Sequence, residues 1–331
     1  MLTMTTKQFQ PILRAVREAA RLCVAVQQNI IRNDKAGQEP VTIADYGSQA
    51  IICRTLSQHF ADDGIMAEES GEQFMDVLDD AQRAHIVSLI ERIISQPTSI
   101  EQVRGWLDHN AGKETPRLWV IDPIDGTKGF LAGRHYVNAV GVMQDRQPVG
   151  GVLAAPAYPD DSGRYRGGAL LHALNDIAYI EPLDNPNLRR RIHVSAADDF
   201  AQFRALESVE KGHSGLQRLA RVRQIVGVPD ALVSQADSME KYGRVAAGDA
   251  ELYLRLPRSR STRPHNIWDH APGVAILQAA GGVATDVDGS PLDFSTGTTL
   301  GNYGVVASNG TRHDDIVAAV QSLIAEENAA G

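Results

Sequence analysis

The chain of 331 residues carries 32 Lys and Arg against 41 Asp and Glu, a formal charge of −9, and is 43% hydrophobic and 22% charged. An acidic excess argues against a general nucleic-acid binder, and the hydrophobic fraction sets disordered and fibrous classes aside. The length exceeds the roughly 250 to 300 residues at which a single core stops growing, so one large domain or two smaller ones are expected.

The chain opens on a helical pattern. Phe9, Leu13, Val16, Ala20, Cys23 and Val24 form an apolar stripe suited to a core-facing first helix. Arg14, Arg17, Glu18 and Arg21 interrupt any secretory apolar stretch. The two cysteines, Cys23 and Cys53, both fall in segments of helical spacing. They support neither a disulfide framework nor a thiolate zinc site, so a reduced, cytoplasmic setting fits best. No apolar run approaches the 18 or more residues of a membrane span.

The polar stretch from Asn33 to Pro40 reads as a loop, and Val41 to Phe60 as a short extended piece running into a helix with Asp45 near its start. An acid-rich segment from Ala61 to Asp80 contains the strand-like run Gly64 to Ala67, followed by Glu68-Glu69. Leu89, Ile90, Ile93 and Ile94 mark a second amphipathic helix, stopped by Pro97. Thr98 to Pro116 reads as a long loop. Leu118 to Ile121 is a short buried strand, and strands alternate with Gly and Pro turns from Val137 to Ile180.

Glu181 to Leu188, with two prolines and two asparagines, is the expected boundary between an N-terminal half (1–188) and a C-terminal half (189–331). Arg189-Arg190-Arg191 reads as a solvated edge, since no aromatic stacking residues accompany it. Past it, Ile192 to Val194 is expected to start a strand, as are Gln224 to Val228, Ala250 to Leu256 and Gly304 to Ala307. A helix over Pro272 to Ala280 has Asp269 just before it and Gly281-Gly282 just after. Asp286-Val287-Asp288-Gly289 lacks the closing glutamate of a calcium loop and suits a turn better. Asn309-Gly310-Thr311 is a formal glycosylation sequon, here a chance match without a secretory signal.

The most informative segment is Asp122-Pro123-Ile124-Asp125-Gly126-Thr127. Two carboxylates three residues apart, with a stiffening proline between, sit at the end of an apolar strand, where open α/β sheets place their ligands. A pair of magnesium ions needs hard oxygen ligands converging from separate chain segments, and Asp45, Glu68-Glu69 and Asp269 supply further candidates. In isolation each acidic pair is more often a surface turn or helix cap. Their joint appearance is what points to a site.

The set Ala67-Glu68-Glu69-Ser70, Asp122 to Thr127 and Trp268-Asp269 resembles the three signatures of the magnesium-dependent, lithium-sensitive phosphatase superfamily that includes inositol monophosphatase. Within it, Pro40 to Gln49, Lys128 to Leu131, Glu210 to Ser214, Asp237 to Tyr242 and Asp249 to Pro257 are similar to the 3′(2′),5′-bisphosphate nucleotidases. Ala67 departs from the superfamily's usual glycine. The resemblance implies a layered α/β (α+β) fold of alternating helices and sheets in two sub-domains. It implies that Glu68, Asp122, Asp125, Asp269 and the Ile124 carbonyl hold two or three Mg2+ ions, and that Asp45 and Thr127 position and deprotonate the attacking water. It assigns Gly126, Thr127, His213, Ser214, Ser238, Lys241 and Arg255 to the substrate. Arg258, Arg260 and Arg263, in a loop just before Asp269, carry no role from it.

The expected activity is release of the 3′-phosphate from adenosine 3′,5′-bisphosphate, and from its sulfated form, giving AMP. The alternatives are an inositol mono- or polyphosphate phosphatase and, from another class, a low-activity nucleotide-binding sensor. A monomer or homodimer with a small-molecule partner, and no nucleic-acid or membrane partner, is expected.

Overall fold

The computed structural model describes residues 4–33, 39–160, 162, 164–209, 215–257 and 265–330. Helix α1 (Thr6–Asn33) and helix α2 (Glu39–His59) pair side by side over the face formed by the first strands. The stripe of α1 is inward as expected: Phe9, Leu13, Val16, Ala20 and Cys23 are buried and Val24 half-buried. Both cysteines are free and buried.

Strand β1 (Gly64–Ala67) precedes three short helices, α3 (Gly71–Val77), α4 (Asp80–Ile94) and α5 (Ile100–Leu107). Then come β2 (Arg117–Asp125), helix α6 (Thr127–Leu131), and the meander β3 (Val137–Gln144), β4 (Gln147–Ala155), β5 (Ala169–Leu174), β6 (Ile177–Pro182) and β7 (Arg190–Arg191). These seven strands form one sheet in sequence order, with β1 parallel to β2 and the rest antiparallel.

The chain then builds β8 (Ala205–Glu207), α7 (Leu216–Val226), β9 (Val233–Gln235), α8 (Glu240–Ala246), β10 (Leu252–Arg255), α9 (Ala271–Ala279), β11 (Val283–Thr285), β12 (Val305–Ser308) and α10 (His313–Ala330). The second sheet runs β11-β12-β10-β8-β9. Helices α8 and α9 are sandwiched between the two sheets, while α7 and α10 cover the outer face of the second. The order is therefore helix, sheet, helix, sheet, helix, the alternating layering expected from the sequence.

Close approach between layers explains some glycines. A Cβ on Gly151 of β4 would stand 2.3 Å from the Pro272 carbonyl oxygen of α9, so this strand must be bare there for the helix to seat.

Several local expectations are corrected. Val41 is not extended: α2 already runs from Glu39, so Asp45 lies inside the helix. Thr98 to Pro116 is not one loop, because Ser99 and Gln102 form a reciprocal capping box that starts α5, and Val103 and Leu107 bury its inner face. The acid-rich 61–80 segment likewise holds α3, capped by Ser70 and Gln73. Gln224 to Val226 ends α7, with Gly227 in the left-handed conformation that closes it. Ile192 to Val194 forms no strand; the Val194 amide donates to the Ala280 carbonyl while the chain crosses between layers. Asp286 and Gly289 do form the expected turn, closed by the Gly289 amide on the Asp286 carbonyl. Arg189 and Arg190 are half-buried rather than fully solvated, Arg189 lying 2.7 Å from Glu181 and Arg190 bonding the Tyr165 hydroxyl.

Burial of His172 has a measurable consequence. Desolvation holds its imidazole down at about 4, against the pull of Glu181, 3.8 Å away. The unfolded chain binds this proton from its ordinary value of 6.5 downward while the folded chain does not, so acidification between those values favours unfolding. At 1.36 kcal/mol per unit, wild type should lose about 3 kcal/mol relative to His172→Phe between pH 7 and 4. Denaturant unfolding of both proteins across that range checks this; a constant difference would contradict it.

Candidate active site

Strands β1 and β2 run parallel with Ala67 opposite Ile121, so Glu68 and Asp122 leave the sheet side by side at the same end. Asp122 and Asp125 are three residues apart and would point to opposite faces of a regular strand. The register prevents this: Asp122 pairs with Ala139 and Asp125 with Val137, so three steps on β2 match two on β3. That extra residue is a bulge, which re-aims a side chain, and it turns both carboxylates toward the same region. Asn138, between the two partners, donates its side-chain amide to the Pro123 carbonyl and pins the bulge.

The Glu68-Glu69 turn is fixed by Gln49 of α2. Its amide donates to the Glu69 carbonyl at 2.6 Å and accepts from the Glu69 amide at 3.0 Å. The same helix presents Asp45 four residues earlier, buried and facing Glu68 and Glu69. Asp269 arrives from the other side of the sheet on a 3-10 turn (Ile267–Asp269) entering α9, its carboxylate bonded by Asn266. Asp125 accepts a hydrogen bond from the Met239 amide.

Burial and mutual repulsion raise all these acids. Desolvation is the largest cause throughout. Glu68 is pushed up to about 7 by burial and then by Glu69, Asp269 and Asp125; Asp269 also reaches about 7, by burial and then Asp125. Asp45 and Asp122 are held well above the usual carboxylate range, Asp122 by burial and then by Asp125, Glu68, Asp269 and Asp45. Asp125 rises less freely, because Lys241 opposes its burial. The Asp122 Oδ1 atom is buried with no hydrogen-bond partner among the described residues.

A group of carboxylates only partly offset by Lys241 and Arg255, with an orphaned oxygen, is the donor chemistry that a hard divalent cation satisfies. The residues therefore fit such an ion. Among the described residues, however, no three Asp, Glu, His or Cys side chains are gathered into a ready ion-holding group. The acids surround the region electrostatically without forming a closed ligand shell.

Beside them opens a cavity of about 260 Å3. Its walls include Asp125, Gly126, Thr127, Asp269, Ser238, Lys241 and Arg255. Thr127 starts α6, and its hydroxyl donates to the Ile124 carbonyl at 3.3 Å, so these two expected site groups touch. Gly129 must be glycine: a Cβ there would stand 2.0 Å from the His135 carbonyl oxygen and 3.2 Å from Asp237 Oδ2. Ser238 adopts φ of 65°, the left-handed region that is costly for a side chain, at the mouth of α8.

Lys241 is buried, its ammonium donating to the Ala236 carbonyl at 3.1 Å and lying 5.2 Å from the Tyr253 ring centre. Desolvation lowers it to about 8, though Asp125 and Asp237 pull the other way. The cavity thus brings Lys241 and Arg255 together with Asp125 and Asp269.

The structure places Asp45, Glu68, Asp122, Asp125 and Asp269 within electrostatic reach of one another, and Gly126, Thr127, Ser238, Lys241 and Arg255 on the cavity wall. His213, Ser214, Arg258, Arg260 and Arg263 lie outside the described residues. Lys128 and Asp237, which open two of the segments noted in the sequence without a role of their own, also line the cavity, as does Ser208, which lies in none of them. For Asp237, its place beside Ser238 in a motif already noted was the available signal; Lys128 likewise follows Thr127, and Ser208 precedes the Glu210 to Ser214 motif.

The sequence model described as "Inositol monophosphatase family" matches residues 5–325. A rice (Oryza sativa) protein named 3′(2′),5′-bisphosphate nucleotidase is 35% identical over 96% of this chain and 94% of its own length. A Schizosaccharomyces pombe protein of the same name is 30% identical over 96% of each chain. Among solved structures, an inositol monophosphatase from Thermotoga maritima superposes with a TM-score of 0.64 at 20% identity, covering 95% of this chain and 96% of its own. CysQ from Bacteroides thetaiotaomicron, titled a bacterial member of the inositol monophosphatase family, gives 0.61 at 21% identity, covering 91% and 96%. At such identities these structures speak for the fold alone.

Proposed function

The chain belongs to the inositol monophosphatase family and is a phosphatase of that family, and on that premise we propose that it removes the 3′-phosphate of adenosine 3′,5′-bisphosphate with magnesium as its cation. The observation that carries this reading is the juxtaposition of acidic and cationic side chains at one cavity. Five acids, of which Asp45 and Asp122 are buried, gather at one end of β1 and β2, and two of them, Asp125 and Asp269, share the cavity with Lys241 and Arg255. The nucleotidase names of the rice and S. pombe relatives favour the same substrate.

In this reading Glu68, Asp122, Asp125, Asp269 and the Ile124 carbonyl hold two or three Mg2+ ions. Bound magnesium would supply charge neutralisation for the phosphate and lower the pKa of water. The chain's own groups then do the rest. Asp45 and Thr127 orient the attacking water, and Asp45 takes its proton; burial makes this carboxylate a stronger base than an exposed one. The water oxygen bonds to phosphorus as the bond from phosphorus to O3′ breaks, and the leaving O3′ gains a proton, so AMP and inorganic phosphate result. Thr127 is aimed by its bond to the Ile124 carbonyl. Lys241 and Arg255, with Ser238 and with His213 and Ser214, engage the nucleotide and its second phosphate through charge-assisted hydrogen bonds.

The sulfated nucleotide is admitted as a second substrate, and lithium inhibition and a place in sulfur metabolism in the cytoplasm belong to the same reading. So does the division into an N-terminal half (1–188) with most cation ligands and a C-terminal half (189–331) with the nucleotide contacts and Asp269. Among the described residues no helix is long and apolar enough to cross a membrane.

The test is phosphate release with and without Mg2+ from adenosine 3′,5′-bisphosphate, adenosine 3′-monophosphate and inositol 1-phosphate, on wild type and Lys241→Gln. The bisphosphate should be preferred. A charge-assisted bond is worth about 1.5–3 kcal/mol, so Lys241→Gln should raise KM for the bisphosphate about 10- to 100-fold and for the monophosphate far less. Preference for inositol 1-phosphate, or an equal KM rise for both nucleotides, would overturn the assignment.

A further inference from the structure

Helix α8 is tied to both sides of the acidic cluster. At its mouth the Met239 amide donates to the Asp125 carboxylate. One turn further, the Tyr242 hydroxyl stands 2.7 Å from His270 Nδ1. His270 follows Asp269 directly and is the entry residue of α9, where its side chain makes no bond to its own helix. Both partners are buried, Tyr242 at 1% exposure and His270 at 0%. Their rings meet edge to face with centres 6.0 Å apart, and His270 is held neutral by desolvation and then by Arg255.

The ring of Tyr242 has little freedom of its own. A Cβ on Gly273, in the first turn of α9, would stand 2.6 Å from it, and Tyr253 packs edge-on against its other side at 5.1 Å between centres. With the ring wedged, the hydroxyl is a fixed point to which the entrance of α9 is fastened. The same helix carries Lys241, so one rigid segment supplies a cation to the cavity, bonds Asp125 at its entrance and reaches Asp269 through the neighbouring His270.

We propose that Tyr242 is a positioning residue, whose hydroxyl, through His270, aims the Asp269 carboxylate toward Asp125 and so builds the affinity of the acidic cluster for a divalent cation. The inference rests on the reading of Asp125 and Asp269 as cation ligands. Groups that orient a ligand from behind typically change cation affinity 10- to 100-fold when removed.

The experiment is calorimetric titration of the full chain with Mn2+ alone, without nucleotide, on wild type, Tyr242→Phe, Tyr242→Phe/His270→Phe and Leu323→Ala. Tyr242→Phe should bind Mn2+ about 10- to 100-fold more weakly than wild type. The double variant leaves no orphaned polar partner, so it should regain thermal stability while keeping the weakened binding. Leu323, buried where α10 packs on the second sheet, should on truncation lower the melting temperature and leave Mn2+ binding as in wild type. Wild-type Mn2+ affinity in either tyrosine variant, or an equal loss in Leu323→Ala, would overturn the proposal alone. No Mn2+ binding by wild type would overturn the ligand reading itself and this proposal with it.

Discussion

Asp122→Asn should cost phosphatase activity by orders of magnitude while making the cation-free protein no less stable. Asp122 is 3% exposed, its Oδ1 lacks a partner among the described residues, and four other acids raise its pKa after burial does. In the absence of cations its charge is therefore a liability to the fold, of order 1 kcal/mol or more, and an isosteric amide removes it. For the reaction the same charge is an asset. A ligand that supports transition-state charge stabilisation is worth several kcal/mol, and each 1.36 kcal/mol is tenfold in rate, so a loss of about 10^2- to 10^4-fold is expected.

The two effects have opposite signs, which separates this account from a purely structural role for Asp122. Thermal unfolding in a chelator should give a melting temperature at or above that of wild type. Addition of Mg2+ should stabilise wild type by about 2.7 kcal/mol at a hundredfold excess over Kd, and the variant much less. Near-normal turnover, or a lower melting temperature in chelator, would mean that Asp122 is not a cation ligand.

The second large effect lies far from the cavity. Glu181 is fully buried at the end of β6, paired with Arg17 of α1 and, at 2.7 Å, with Arg189. Arg17 is itself 9% exposed and also donates to the Leu183 carbonyl at 3.1 Å. Replacing Glu181 by Leu strands the Arg17 charge inside the layer interface, whereas the Arg189 side chain, 27% exposed, can turn to water. Breaking a buried pair from one side costs about 3–5 kcal/mol, and replacing both partners by apolar groups is often close to neutral. Glu181→Leu should accordingly lose about that much in denaturant unfolding, and Arg17→Met/Glu181→Leu should recover most of it. A double variant as unstable as the single would mean that packing volume, not the stranded charge, sets the cost.

Much of the site was legible because Glu68, Asp122 and Asp269 stand where apolar runs end. Leu118 to Ile121 leads to Asp122, Gly64 to Ala67 to Glu68, and Ile267 to Asp269 just ahead of a well-punctuated helix. Such transitions are local, and the layered fold follows from the same runs. What escaped local reading depended on partners distant in sequence. Pro40 looked like a break before α2, yet a proline is tolerated in a first helical turn. Arg223 interrupts the apolar stripe of α7 and is buried only because Glu207 and Asp230 pair with it. The run Ile192-His193-Val194 looks like a strand, but after the Ile192 amide bonds Ala178 of β6 the chain leaves the sheet and the Val194 amide bonds the end of α9. The 98–116 segment carried its helix signal in the Ser99 and Gln102 box, with only Val103 and Leu107 to mark an inner face.

Within the site, the bulge that brings Asp122 and Asp125 to one side is set by pairing with β3 and has no signature beyond Pro123. Gln49, clamped on the Glu69 backbone, and Tyr242, fastened to His270, act through residues 20 and 28 positions away. No spacing rule reaches that far.

In the proposed reaction the acidic cluster directs water at the phosphorus of a 3′-phosphate. This step is tested most directly by turning over adenosine 3′,5′-bisphosphate in 18O-labelled water with Mg2+ and weighing both products. One 18O atom is expected in the released inorganic phosphate and none in the AMP, with no turnover in chelator. Label in the nucleotide, or phosphate release that is equally fast without a divalent cation, would contradict it.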